Sequence, residues 1–342
     1  MISPDAPDHA SAVMERSRQL LGRGGRVLVT GATGFIGANV VRALLHLGSD
    51  VHMTVQSSSD PWRLKHVLPH VETHVASLTD ADALGGAFVR ARPAVVLHLA
   101  TPRGRDDAAR ARILEATVMG AVHLLRLARQ FDVQRLVVAG SSLEYRPSDV
   151  ALAEDACTEP TTIHGTAKLA ATQLYRQAAV ETGVPVCVLR FFHVYGPWES
   201  RHRLLPSAIR AALAGTPLPL TGGTIARDWV FVADVVDAVL RTAGLHRNGE
   251  VINVGSGQEY SNEAIVQCVG DTIGKPVRIV TGAFPRGPAD VAHRRADCSK
   301  AARLLGWTPT ATLAQGVRQT VDWFDANPAA WSADEDEHPS VV

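Results

Sequence analysis

Two kinds of apolar pattern alternate along the first half of the chain. Short unbroken runs at Val27-Leu28-Val29, Val51 to Val55, Val71 to Ala76, Ala94 to Ala100 and Leu136 to Ala139 have the composition of buried strands. Between them apolar residues recur at helical spacing, as in Val40, Val41, Leu44 and Leu45, and again through Ala108 to Gln130. Strands alternating with helices at this interval predict a parallel sheet wound on both faces.

After Gly196-Pro197 the pattern changes. Trp198 to Pro206 is a polar loop carrying Arg201 and Arg203, and Ser207 to Ala214 reads as a helix ended by Gly215. Residues 251–257 return to a strand pattern, whereas a helix from Ser261 and the run Val277 to Val280 lie outside the sheet again. The expected organisation is a doubly wound domain at 24–190, with 227–257 returning to it. A smaller, interleaved α/β domain is expected from 191–226 and 258–325. Residues 1–23, weakly helical through Val13, Met14 and Leu20, read as a loosely attached arm. The acidic, proline-bearing stretch 326–342 reads as a disordered tail. No repeat of solenoid period is present.

Chemistry enters where the first strand breaks, at Gly31-Ala32-Thr33-Gly34-Phe35-Ile36-Gly37. The first glycine permits a tight turn, the second lets a pyrophosphate approach the backbone, and the third lets helix and strand pack closely. Free N–H groups and the positive end of the helix dipole would face the phosphates. A glycine-rich turn with no ligand is the bland alternative. The strand before and the helix after favour a dinucleotide held by Gly31, Thr33, Gly34, Phe35, Ile36 and Gly37. Leu99-Ala100, closing the fourth run, forms a small-residue loop suited to the same ligand. An acid normally ends the second strand and takes the adenosine ribose hydroxyls. Here Val55 is followed by Gln56 and Ser57, with Arg63 and Lys65 nearby, which tilts the cofactor from NAD toward NADP. If Arg63 instead stacks on the adenine, either cofactor is served.

Composition narrows the partners. A formal net charge of +0 gives no basic surface for nucleic acid or for an anionic membrane. Cys157, Cys187, Cys268 and Cys298 stand far apart, which fits reduced thiols in a cytoplasm and offers no metal-ligand spacing. The amino-terminal stretch has no apolar leader segment, and no run approaches transmembrane length. Only four of the 34 basic residues are lysine, so a lysine inside a motif carries weight.

Eight motifs follow one another over residues 24–325. They are TGATGFIG (30–37), HLA (98–100), GSSLEY (140–145), HGTAK (164–168), FFHVYGP (191–197), RDWVFVADV (227–235), INVGSG (252–257) and DCSKAARLLGW (297–307). On these the chain resembles the extended short-chain dehydrogenase/reductase family, in its branch of NAD-dependent nucleotide-sugar epimerases, dehydratases and ketoreductases. The resemblance implies a Rossmann-type fold, a nucleotide-sugar substrate, and a homodimer through helices near 108–130 and 164–181. Those helices carry apolar residues (Ile113, Val118, Leu125; Leu169, Leu174, Val180) beyond one sheet-facing stripe.

In the family a Ser/Thr and a Tyr-x-x-x-Lys pair carry the chemistry, with the lysine also binding the nicotinamide ribose. Ser141 matches the first and Lys168 the last, but His164 stands at the tyrosine position. The resemblance further assigns Ser142, His193, Arg227 and Arg294 to the substrate, Arg227 as a clamp on the diphosphate. A salt bridge from Arg227 to Asp228 or Asp234 is the alternative. His193 replaces an asparagine of the family pattern, and either touches substrate or is merely hydrogen-bonded. Thr117 replaces another. Ser142-Leu143 replaces the Asp-Glu pair of the dehydratases, which argues against water elimination because that step needs its own acid and base. Tyr145 is a packing residue or a substitute proton donor, and Glu144 either acts at the site or faces solvent.

An imidazole can donate or accept one proton, as a phenol can. Its reference pKa is about 6.5 against about 10 for tyrosine. A Lys168 ammonium and an oxidised nicotinamide ring both disfavour an imidazolium, so a proton donor survives best beside the uncharged, reduced ring. On that reasoning the leading function is NAD(P)-dependent reduction of a nucleotide-linked 4-keto-6-deoxyhexose. An epimerase using tightly bound NAD and a catalytically silent dinucleotide or nucleotide-sugar binder are the alternatives.

Overall fold

The computed structural model describes residues 7–102, 106–221 and 225–328. The first half lays down strands β1 (Arg26–Thr30), β2 (Asp50–Val55), β3 (Glu72–Val75), β4 (Val95–His98), β5 (Arg135–Ser141) and β6 (Val186–Phe191). Later come β7 (His193–Tyr195), β8 (Leu218–Leu220), β9 (Ala226–Phe231), β10 (Glu250–Val254), β11 (Glu259–Ser261) and β12 (Ile279–Thr281). The helices are α1 (Pro7–Leu21), α2 (Phe35–His46), α3 (Ala81–Ala91), α4 (Asp107–Gln130) and α5 (Ile163–Thr182). They continue as α6 (Leu204–Ala214), α7 (Val232–Ala243), α8 (Asn262–Ile273), α9 (Ser299–Leu305) and α10 (Leu313–Ala326).

The apolar runs become a seven-stranded sheet in the order β10-β6-β5-β4-β1-β2-β3, parallel throughout. One face packs on α2, α7, α1 and α9 through residues such as Val40, Leu44, Val235, Val239, Val13 and Leu304. The other packs on α3, α4 and α5 through Leu84, Phe88, Leu124, Leu127 and Tyr175. Burying both faces explains why these strands read as continuous apolar runs. Strand order reverses between β1 and β4, and at such a switch point ligands bind beyond the strands' carboxyl ends.

A second, smaller unit holds the three-stranded sheet β11-β9-β7 and the pair β12-β8, packed with α6, α8 and α10 around Leu205, Ile209, Ile265 and Val317. Three boundaries differ from the sequence reading. The segment at 1–23 is not a loose arm over its described part. Within it α1 docks on the main core through Val13 and Leu21, and its Ser17 Oγ donates to the Arg241 carbonyl 3.1 Å away. The return to the main sheet starts at Val232 rather than 227, because the Arg227-Asp228-Trp229 strand is β9 of the smaller sheet. Residues 297–307 leave the second unit, since Ala301, Leu304, Leu305 and Trp307 sit in the main core and the Trp307 indole donates to the Asp234 carbonyl at 3.0 Å. Helix α6 begins three residues earlier than Ser207, at Leu204, which leaves Pro206 in the first turn, where its missing N–H costs nothing. The expected tail at 326–342 lies outside the described residues from 329 onward. No helix among the described residues is long and apolar enough to cross a membrane.

Candidate active site

The register of β1 against β4 sets Thr30 opposite His98, so the two strands deliver the glycine loop and Leu99-Ala100 side by side. Gly31 has φ +72°, and a Cβ there would lie 2.4 Å from the Ala100 nitrogen. A Cβ on Gly37 would meet the Gly31 carbonyl at 2.1 Å. Gly34 differs: its φ is −73°, it is exposed, and a Cβ would meet only the Gly31 carbonyl, at 3.2 Å. It is the N-cap of α2 and has no side chain to take the first-turn N–H groups. Phe35 and Ile36 seat that turn against the smaller core and the main core respectively. Two glycines buttress the turn while the third keeps its outer face open onto unclaimed donors. That arrangement fits a pyrophosphate.

The residues directly after β2 are not acidic. Gln56 and Ser57 are exposed, and Asp60, the first acid beyond them, accepts from the Trp62 N–H at 2.9 Å. Arg63 is committed to main chain. Its Nε donates to the Trp198 carbonyl at 2.8 Å and its Nη1 to the Thr33 carbonyl at 3.3 Å, while the guanidinium lies 4.3 Å over Trp62. Trp198 itself holds a left-handed φ of 72°. It is clamped by the Arg42 guanidinium at 3.9 Å and by Trp323 at 4.6 Å.

Ser141 ends β5, and Thr162 caps α5 by accepting from the Gly165 N–H, which puts His164 in that helix's first turn. A Cβ on Gly165 would sit 2.2 Å from the Leu143 carbonyl, so only glycine lets this turn close on residues 142–144. One helical turn further, Lys168 is buried and its Nζ donates to the Ala139 carbonyl at 2.7 Å, tying α5 to β5. Burial lowers the Lys168 ammonium to about 8, against an opposing pull from Glu144. His98 is held neutral, pushed down to about 3 by burial and then by Lys168, with its Nδ1 2.7 Å from Thr30 Oγ1.

Because Lys168 titrates lower in the folded chain than the ordinary value of about 10.4, stability from this group should rise with pH between about 8 and that value. In that window the unfolded chain still holds a proton that the folded chain has released. Urea unfolding should show wild type gaining on Lys168→Met across this interval. A constant difference would mean that Nζ stays charged.

Glu144 does not face solvent. It is fully buried, accepts from the Ser141 N–H at 2.8 Å and pairs with Arg190 Nε at 2.8 Å. A Cβ on Gly140 would come within 2.8 Å of its Oε1. Together with Ser141 Oγ accepting from the Leu143 N–H, it forms a capping box that fixes the turn after β5. The Ser141-x-x-Glu144 spacing was the signal for this, and the pair is the positioning element that sequence reasoning left undecided. Tyr145 is no substitute donor: its hydroxyl donates to Asn253 at 2.7 Å, and burial pushes it up to about 12.

On the substrate side the four assigned residues separate. His193 pairs across from Trp229, 4.1 Å between ring centroids, and burial with the Arg203 and Arg227 charges keeps it well below the usual histidine range. Arg227 does not stand open as a clamp. Its guanidinium donates to the Ala289 and Val291 carbonyls, each at 2.8 Å, and meets Asp290 at 3.3 Å. Neither Asp228 nor Asp234 is its partner, because those carboxylates accept from Ser256, Gly257 and Ala296 and from Thr310 and Ala311. Arg294 is the reverse case. It is 3% exposed, donates through Nη1 to the Ser142 carbonyl, and finds no partner for Nε and Nη2 among the described residues. Burial lowers it to about 10. A buried guanidinium with two unanswered donors, beside Ser142 at the end of β5, has the donor set that an anion would satisfy.

Residues 27–255 match the NAD dependent epimerase/dehydratase family. The UDP-glucose 4-epimerase of Mycolicibacterium smegmatis is 31% identical over 314 residues, covering 87% of this chain and 98% of that one. The dTDP-glucose 4,6-dehydratase of Haemophilus influenzae is 27% identical over 329 residues, covering 87% and 97%. Among solved structures, MoeE5 in complex with UDP-glucose and NAD superposes with a TM-score of 0.77 at 30% identity, covering 89% of this chain and 100% of that one.

Proposed function

The chain belongs to the NAD dependent epimerase/dehydratase family, and from that premise we propose that it oxidises and re-reduces one carbon of a nucleotide-activated sugar, with His164 taking up and returning the proton. The observation that carries this reading is His164's place in the first turn of α5, one turn before Lys168. An imidazole's reference pKa of about 6.5 leaves one ring nitrogen free to accept a proton near neutral pH. The resting ring is therefore a base, suited to receiving a hydroxyl proton. Its cationic form arises only while it holds the substrate's own proton, which it then gives back. A reductase would instead have to draw that proton from solvent in every turnover.

A bound nicotinamide supplies the hydride acceptor and donor. The protein's part is to hold the pyrophosphate on the Gly31–Gly37 turn and α2, and to keep Lys168 and Ser141 in place from β5. Arg294 receives an anionic group of the nucleotide sugar. Arg227 acts one step removed, by fixing the 289–291 segment, and Thr161 Oγ1 adds a bond to the neighbouring Pro288 carbonyl. The relatives include epimerases and dehydratases at similar identity, so likeness alone does not choose between reactions; Ser142-Leu143 speaks against the dehydratase.

One observation favours a second reading. Gln56 and Ser57 follow β2 with no acid among them, a pattern that suits NADP and hence net reduction of a keto sugar. Denaturing the purified protein and identifying the released nucleotide separates the two. Retained NAD, with UDP-glucose converted to its C4 epimer by NMR and no net NADH formed, supports epimerisation. A protein free of nucleotide that consumes NADPH with a 4-keto sugar overturns it in favour of the reductase. Binding of nucleotide sugars without turnover would identify a silent binder.

We further propose a homodimer through α4 and α5. Ile113 is buried within the chain and is not available for it. Leu114, Met119 and Val122 on α4, with Ile163, Leu174 and Val180 on α5, are exposed instead. Val122→Glu with Leu174→Glu should give a monomer by light scattering at micromolar concentration. A monomeric wild type would remove the proposal.

A further inference from the structure

At the free edge of the main sheet, away from the carboxyl ends of its strands, two buried histidines and a carboxylate converge. β2 and β3 pair with His52 opposite Glu72 and Thr54 opposite His74, so all three side chains share the face covered by α3. His52 is 4% exposed and His74 2%, and their rings stack 5.3 Å apart at an interplanar angle of 4°. His52 Nδ1 lies 3.0 Å from His74 Nε2. The Glu72 carboxylate reaches both, with Oε2 3.6 Å from His52 Nδ1 and Oε1 3.8 Å from His74 Nε2.

We propose that His52, His74 and Glu72 form a binding site for a zinc-class divalent cation. Ligands bonded at about 2.0 Å in a tetrahedron stand about 3.3 Å from one another, and the three separations bracket that edge. Two imidazoles and a carboxylate are a donor set such cations accept, with water as the fourth ligand. Asp50 Oδ1, 3.5 Å from His52 Nε2, favours the tautomer whose Nδ1 lone pair points at the site, the usual outer-shell role of a carboxylate. Asp50 and Glu72 are more than half exposed along their side chains, which opens a path from solvent.

The metal-free arrangement is a relay. Arg90 Nε donates to His74 Nδ1 at 3.1 Å, so His74 carries its proton on Nε2 and gives it to His52. Cation binding requires that proton to move to Nδ1 through solvent, with no net proton released. Nδ1–H would then face the Arg90 N–H, and the exposed Arg90 side chain must swing away. Arg90 is therefore a competitor for the site.

The test is calorimetric titration of ZnCl2 into the EDTA-treated full chain, with Co2+ absorption as a report of tetrahedral geometry. One zinc should bind, about tenfold or more weakly in Glu72→Gln and in His74→Gln. Arg90→Gln should bind more tightly than wild type, a gain that no adventitious site would show. Glu72 is more than half exposed along its side chain, so Glu72→Gln should keep the wild-type urea midpoint, and Arg90→Gln, which loses a bond to buried His74, is read only after its unfolding curve shows a folded protein. Absence of zinc binding by wild type, or equal affinity in Glu72→Gln, would overturn the site.

Discussion

His164→Phe should lower turnover by on the order of a hundred- to ten-thousand-fold, the cost of losing a positioned acid–base group. Dinucleotide affinity should stay unchanged, because the glycine turn and Lys168 are untouched. His164→Tyr should recover activity, since it restores the side chain the family keeps at that place. Its pH optimum should move upward, because the reference values of phenol and imidazole differ by more than about three units. Steady-state rates across a pH series, with cofactor titrations on the same preparations, check all three statements. Should His164→Phe keep nearly full turnover, the proton comes from elsewhere. Ser141 is then the candidate, since its Oγ accepts from Leu143 and keeps its own proton to give, while the Tyr145 hydroxyl is already held by Asn253.

The glycine turn yields the second large effect, and it divides. Gly31→Ala puts a Cβ into the Ala100 backbone at a left-handed φ. Left-handed backbone costs about 1–2 kcal/mol and overpacking about 1–3 kcal/mol, enough together to remove much of a typical domain's stability. Gly34→Asp should do the opposite to the fold. Its backbone is in the extended region, and a carboxylate at an N-cap gains about a few tenths of a kcal/mol over glycine, enough to offset the 3.2 Å approach of the new Cβ to the Gly31 carbonyl. The same carboxylate occupies phosphate space and repels the anion, so dinucleotide binding should vanish from a protein that melts no lower than wild type. Undiminished NAD(P) affinity in folded Gly34→Asp would refute the cofactor site.

What the chain disclosed in advance was local. Strand, glycine turn and helix follow one another at Arg26–His46, and each leaves its own periodicity, so the cofactor half was legible. The helical pattern of α1 was faintly legible too, but its docking was not, because its few apolar residues gain meaning only against α7, more than two hundred residues later. The Asp-Trp strand was assigned to the wrong sheet for a similar reason: which partner a strand chooses is decided by tertiary packing, not by its own pattern. Glu144 left a readable Ser-x-x-Glu spacing, but only the fold reveals that Arg190 neutralises it. Arg227 and Arg294 look equivalent in sequence. The carbonyls at 289 and 291 bind one, while the other keeps two of its nitrogens unpaired among the described residues, and no linear pattern encodes that. His52 and His74 belong to different strands, so their spacing matches no linear metal signature.

Arg63 has a thermodynamic corollary. One guanidinium is bonded both to Thr33 in the glycine turn and to Trp198 in the loop that opens the smaller domain, and Asn39 of α2 adds a bond to the Pro197 carbonyl. Anything that shifts the turn is felt by the loop. Linkage then demands reciprocity: whatever factor the cofactor contributes to sugar affinity, the sugar returns to cofactor affinity. A nucleotide that lingers between turnovers and a sugar that docks tightly are, in such a molecule, two readings of a single coupling constant.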